Sequence, residues 1–114
     1  MTGVNNSIYR ELTATNYRRY RLLYELATNE YRSAGELAQA IDASRVTMTR
    51  HMTSFHADFG IEVMKGVSMT EAEKGQEPIY SVRSWGFIDK VMFAQWFEQQ
   101  PAPKGAEQFH PTAN

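Results

Sequence analysis

The sequence predicts a mainly α fold with one small β-hairpin and an added C-terminal helix. Three observations predict it. Apolar residues recur at helical spacing in several stretches with recognisable end signals; the period changes to alternation after Gly60; and a polar run containing Gly75 separates two alternating segments. At 114 residues the chain is the size of one domain with a modest core. The expected organisation is a flexible N-terminus over 1–12, one domain over 13–100 whose last helix covers 87–100, and a disordered tail over 101–114.

Residues Thr13 to Asn16 precede the first amphipathic stretch, in which Tyr17, Tyr20, Leu23, Tyr24 and Ala27 fall on one face before it ends near Thr28 and Asn29. Ser33 followed by Glu36 is a capping box, in which each side chain satisfies a backbone donor at a helix start. Leu37, Ala38 and Ile41 continue that short helix. A break follows at Asp42 and Ala43, since Asp is a poor interior helix residue, and Ser44 supplies a second N-cap. The next helix places Met48, Met52 and Phe55 at i, i+4, i+7 toward the core, so Arg45, Val46, Thr49, Arg50 and Thr53 take other faces. Gly60 closes it as a left-handed C′ residue.

Beyond Gly60, Ile61, Val63 and Lys65-Gly66 make one short strand, and Pro78 to Trp85 its partner, with Tyr80 and Val82 inward. The connection VSMTEAEKGQE is polar and holds Glu71, Glu73 and Glu77 against Lys74. From Phe87 to about Gln100, the residues Phe87, Ile88, Val91, Met92, Phe93, Trp96 and Phe97 cover more than one narrow helical stripe. These seven are the expected homodimer interface, because apolar surface beyond what the core needs is a solubility liability. The last residues, PAPKGAEQFHPTAN, carry three prolines and no period.

The run Glu36-Leu37-Ala38, then Ala43-Ser44-Arg45-x-Thr47-Met48-x-Arg50-x-Met52-x-x-Phe55, then Gly60-Ile61-Glu62-Val63, resembles the winged helix-turn-helix of bacterial transcription regulators. The small type at the N-terminus of DeoR-like repressors and of the biotin ligase repressor is the nearest likeness, over roughly residues 14–85. The resemblance implies double-stranded DNA as partner, with the second helix of the pair in the major groove and the hairpin as the wing. Arg45 or Arg50 would then pair with a guanine edge, and Val46 or Thr49 would meet a thymine methyl, with Thr53 on the same face. Phosphate contacts are expected from Ser33, Ser44, Thr47, Arg18, Arg19, Arg21, His56, Lys65 and Arg83. The acidic hairpin tip departs from the basic wing of that family, which shifts the expectation to Lys65 and Arg83 on the strand stems.

A net charge of −1 means that DNA affinity must come from a local patch. One short helix reads few base pairs, so the expectation is a homodimeric regulator, a repressor by occlusion, on an inverted repeat. The rival expectation is a protein-interaction module using the acidic wing and the apolar last helix. No enzyme is expected: His51, His56 and His110 do not form a ligand constellation, and no glycine-rich phosphate loop or G-x-S-x-G is present. No metal, cofactor or small-molecule ligand is expected. The absence of cysteine excludes disulfides and thiol chemistry. The start MTGVNNSIYRELT has no apolar run, so the expected location is cytoplasmic, without a membrane span.

Overall fold

The computed structural model describes residues 13–67 and 77–111. The expectations for residues 1–12, for Glu71, Glu73 and Lys74 at the hairpin tip, and for residues 112–114 lie outside the described residues. Within them the chain forms four α-helices and one three-stranded antiparallel sheet. Helix α1 spans Ala14–Thr28, strand β1 Arg32–Ser33, α2 Ala34–Ala40 and α3 Arg45–Phe59. Strands β2, Glu62–Val67, and β3, Pro78–Ser84, follow. The chain ends in α4, Lys90–Glu98, and a 3₁₀ turn at Glu107–Phe109.

Local chemistry sets the helix ends. Thr13 caps α1 by accepting from the Asn16 N–H at 3.2 Å. At α2 the Ser33 Oγ accepts from the Glu36 N–H at 3.1 Å while Glu36 Oε1 accepts from the Ser33 N–H at 3.1 Å, completing the capping box. Between α2 and α3 the chain turns through Asp42, whose φ of 49° is left-handed, a conformation that Asp tolerates better than most side chains. Gly60 ends α3 at φ 72°, and its N–H donates to the His56 carbonyl at 2.9 Å.

The sheet has the order β1-β3-β2. Val63 pairs with Val82 and Lys65 with Tyr80, whereas β1 adds Arg32 opposite Tyr80 and Ser33 opposite Ile79. This third strand corrects the expectation of a lone hairpin. Arg32-Ser33 is too short to show alternation, and its pairing partner lies far along the sequence.

Leu22, Leu23, Leu26, Leu37, Ile41, Met48, Met52, Phe55 and Ile61 form the main core, on which Val63, Tyr80 and Val82 of the sheet pack. A second cluster joins Tyr17, Phe97, Ala106 and Phe109. The tail expected to be disordered over 101–114 is therefore ordered up to Pro111. Phe109 is buried, beneath the Arg18 guanidinium at 5.0 Å from the ring centroid, and Arg21 Nη1 donates to the Phe109 carbonyl at 2.6 Å. Proline richness conceals one aromatic anchor there, and one is enough to dock the segment.

The last helix begins at Lys90, not at Phe87 as expected. Asp89 is its N-cap, accepting from the Met92 N–H at 2.9 Å. Before it, Gly86 turns at φ 59° against the end of α3: an added Cβ would lie 2.1 Å from the Phe59 carbonyl oxygen, and the Phe87 N–H donates to that same oxygen at 3.2 Å. Only glycine fits this crossing.

Candidate nucleic-acid interface

Ser44 positions the start of α3. Its Oγ accepts from the Thr47 N–H at 3.1 Å and donates to Thr47 Oγ1 at 3.2 Å, so capping accounts for the Ser44 hydroxyl and gives Thr47 Oγ1 one donor. With Met48, Met52 and Phe55 buried, the helix presents Arg45, Val46, Thr49, Arg50 and Thr53, all exposed. The five expected base-reading residues thus lie together. Val46 is 61% exposed, and no packing among the described residues explains an apolar side chain at that place. Thr49 Oγ1 donates to the Arg45 carbonyl at 2.8 Å and Thr53 Oγ1 to the Thr49 carbonyl at 3.1 Å, which leaves their oxygens as acceptors for a ligand.

A groove of about 480 Å³ runs between α3 and the sheet, lined by Thr49, Met52, Thr53, His56, Ile61, Glu62, Val63, Lys65 and Tyr80. His56 Nδ1 lies 3.3 Å from the Ile61 carbonyl oxygen; an Nδ1–H donating there leaves Nε2 for a ligand. Lys65 and Arg83 are exposed on the strands, with Arg83 Nε 4.0 Å from Glu62 Oε1. Exposed ion pairs of that length contribute little, so Arg83 retains its reach.

Three expected phosphate contacts are spent inside the fold. Arg19 donates to Ser54 Oγ at 2.8 Å, pairs with Asp58 and stacks over Tyr20, Phe55 and Phe59. Arg21 pairs with Glu25 at 2.7 Å, and Arg18 covers Phe109. Their charges bind α1 to α3 and to the C-terminal segment, which corrects the reading of an outward basic face. Ser33 is half-buried within its capping box. Glu25, itself buried, also takes Arg32 at 2.8 Å, so one carboxylate joins α1 to β1. The pairing with Arg21 at i, i+4 is a sequence signal; the one with Arg32 is not.

His51, expected on the helix surface, is half-buried. Burial depresses its pKa, and the neighbouring Arg19 and Arg18 depress it further. Tyr24 moves the other way: burial and its hydrogen bond to Glu98, 2.7 Å long, push its hydroxyl up to about 12.

Of the seven residues expected at a dimer interface, Phe97 is buried, and Ile88, Phe93 and Trp96 pack against the two core clusters. Phe97 is thereby taken up by the monomer core, which corrects its assignment, while Ile88, Phe93 and Trp96 are half-buried against it. Phe87, Val91 and Met92 remain at 75%, 59% and 67% exposure. Among the described residues no three His, Cys, Asp or Glu side chains could hold a metal ion, and no helix is long and apolar enough to cross a membrane.

Compared with known proteins, the chain matches no family model, no curated protein and no solved structure.

One residue beside this candidate face escaped the sequence reading. Glu77, placed there with the acidic hairpin tip, stands at the foot of β3, where its Oε2 accepts from the Gly35 N–H at 2.8 Å and from Arg45 Nη2 at 3.0 Å. A separation of 32 residues from Arg45 left no periodicity by which to find it.

Proposed function

We propose that this chain is a winged helix-turn-helix regulator of transcription that binds double-stranded DNA sequence-specifically as a homodimer on an inverted repeat. The observation that carries the reading is the α2–turn–α3 pair, whose second helix exposes Arg45, Val46, Thr49, Arg50 and Thr53 on one side. Such a face offers guanine-directed donors beside a methyl-bearing surface for thymine. The adjoining β2–β3 stem adds Lys65 in the wall of the groove and Arg83, exposed further along β3, as candidate backbone-positioning cations. Arg50 has no ion-pair or hydrogen-bond partner among the described residues, so its guanidinium is not committed elsewhere.

The near-neutral charge sets the strength expected. With few cations on this face, few counterions are released on binding, so non-specific affinity is weak, the salt slope is shallow, and most of the binding energy must come from base contacts. Occupancy of a promoter would then block polymerase. Phe87, Val91 and Met92 supply the apolar face through which two copies would join.

The test is selection of the purified full chain on a random duplex pool across a salt titration. Enrichment of an inverted repeat is the expected outcome, with Arg50→Ala weakening the selected site at least tenfold while non-specific binding changes about twofold, as loss of one base contact requires. Equal losses on both would remove Arg50 from base reading. No enrichment, together with no retention on DNA at low salt, would favour a protein-interaction module.

A further inference from the structure

The Glu77–Arg45 contact has features that a surface ion pair does not require. Its carboxylate is anchored twice: Oε2 also accepts from the Gly35 N–H, and the residue leads directly into Pro78, the first residue of β3, whose ring fixes the backbone there. The space for the carboxylate exists because residue 35 is glycine. A Cβ at Gly35 would stand 2.9 Å from Glu77 Oε2 and 3.4 Å from Arg45 Nη2. Gly35 lies inside α2, where glycine is a poor helix former, and its φ is not positive, so the conformation does not ask for glycine, whereas a Cβ there would push on the carboxylate where it now sits.

From this geometry we infer that Glu77 is a positioning residue that sets base specificity by holding the Arg45 guanidinium in place at the start of α3. The inference rests on the DNA-binding reading above. Arg45 is 55% exposed along its side chain, and an arginine at that exposure samples many rotamers that must be given up when it binds. A charge-assisted bond to a fixed carboxylate removes much of that freedom in advance. It does so without using up the donors. Nη2 carries two hydrogens, one on each two-donor edge of the guanidinium; whichever one Glu77 takes, the other edge stays open for the O6 and N7 acceptors of guanine. The same negative charge opposes capture of Arg45 by a phosphate, which steers the side chain toward a neutral base edge.

The experiment uses the full chain, its selected site and the complete set of single base-pair substitutions of one half-site, with three variants. Arg45→Ala locates the base pair that Arg45 reads. Glu77→Ala removes the carboxylate, and Gly35→Ala displaces it by steric contact while leaving the net charge unchanged and the helix better formed. Both are expected to lower the preference at that one base pair about tenfold, the discrimination of roughly one good contact, to leave the other positions unchanged, and to retain cooperative unfolding. Either variant keeping the wild-type preference overturns the role of Glu77. So does an even rise in affinity at every sequence, which would make Glu77 a mere repeller of phosphate, or an even loss that follows lowered stability, which would make it a structural cap. An Arg45→Ala variant with unchanged preferences at all positions overturns it too. If the wild-type chain selects no sequence at all, the DNA-binding reading fails and this inference with it, whereas every other outcome judges Glu77 alone.

Discussion

His51 is held below its ordinary pKa first by burial and then by Arg19 and Arg18, and that direction fixes a pH dependence. The folded chain binds the proton less tightly than the unfolded chain, so stability is fully present above about 6.5, the histidine reference value, and is lost as the pH falls below it. The melting temperature of the wild-type chain should therefore decline between about pH 7 and pH 5, and His51→Gln should flatten that decline. Parallel curves for the two proteins would show that another group carries it. Glu36 acts in a separate window: its carboxylate is lowered chiefly by the Ser33 backbone N–H, so its contribution disappears only as the pH drops through the carboxylate range. The two residues also differ in how readily the sequence reveals them. Glu36 is specified by the serine three positions earlier, whereas the surroundings of His51 come from α1, far back in the chain.

At the scale of elements, the crossing of Gly86 over the end of α3 is the least substitutable contact. Gly86→Ala combines a left-handed φ with a Cβ placed 2.1 Å from the Phe59 oxygen, and should cost about 3 kcal/mol or more from backbone strain and overpacking together. Denaturant unfolding reads this directly; a loss under about 1 kcal/mol would mean that the crossing relaxes easily. Helix ends and strand pairing in this molecule were legible to different degrees for one reason. Ser33, Ser44 and Gly60 act on backbone groups within four residues, so sequence spacing contains the whole interaction. Strand β1 and the Glu25–Arg32 pair depend on chain segments brought together only by folding, and α4 starts late because Asp89 competes for the cap against an apolar pattern that begins at Phe87. The outward face of α3 was legible because Met48, Met52 and Phe55 define the opposite side, but the commitment of Arg18, Arg19 and Arg21 to internal partners was not.

For the whole molecule, the C-terminal segment and the start of α4 make opposite predictions about surface. Phe109 closes the second cluster with Tyr17 and Phe97, so Phe109→Ala should destabilise the entire domain by about 3 kcal/mol, in the range for a buried aromatic. Global unfolding measured by tryptophan fluorescence would report it, and an unchanged midpoint would mean that the segment docks without supporting the core. Val91, by contrast, is exposed, and on the homodimer proposed above Val91→Glu should leave the fold intact while shifting the sedimentation of the chain from dimer to monomer and weakening binding to a two-half-site DNA more than to a single half-site. A variant that remains dimeric would move the association surface away from Phe87, Val91 and Met92. Both substitutions act on apolar side chains near the same helix, yet only the first should alter stability, because the monomer core is complete without the second.

The Gly86 crossing also acts as a hinge pin that has been welded. It ties the exit of the hairpin to the exit of α3 through backbone atoms, with no side chain between them to swing or be repacked. The close backbone approach at Gly86 thus helps to set the span between the helix and the sheet stem. A ligand gripped by both must match that span or bend to it. On the DNA-binding reading proposed above, variation among bound sequences would then appear as differences in the deformability of the duplex, at positions that no side chain touches.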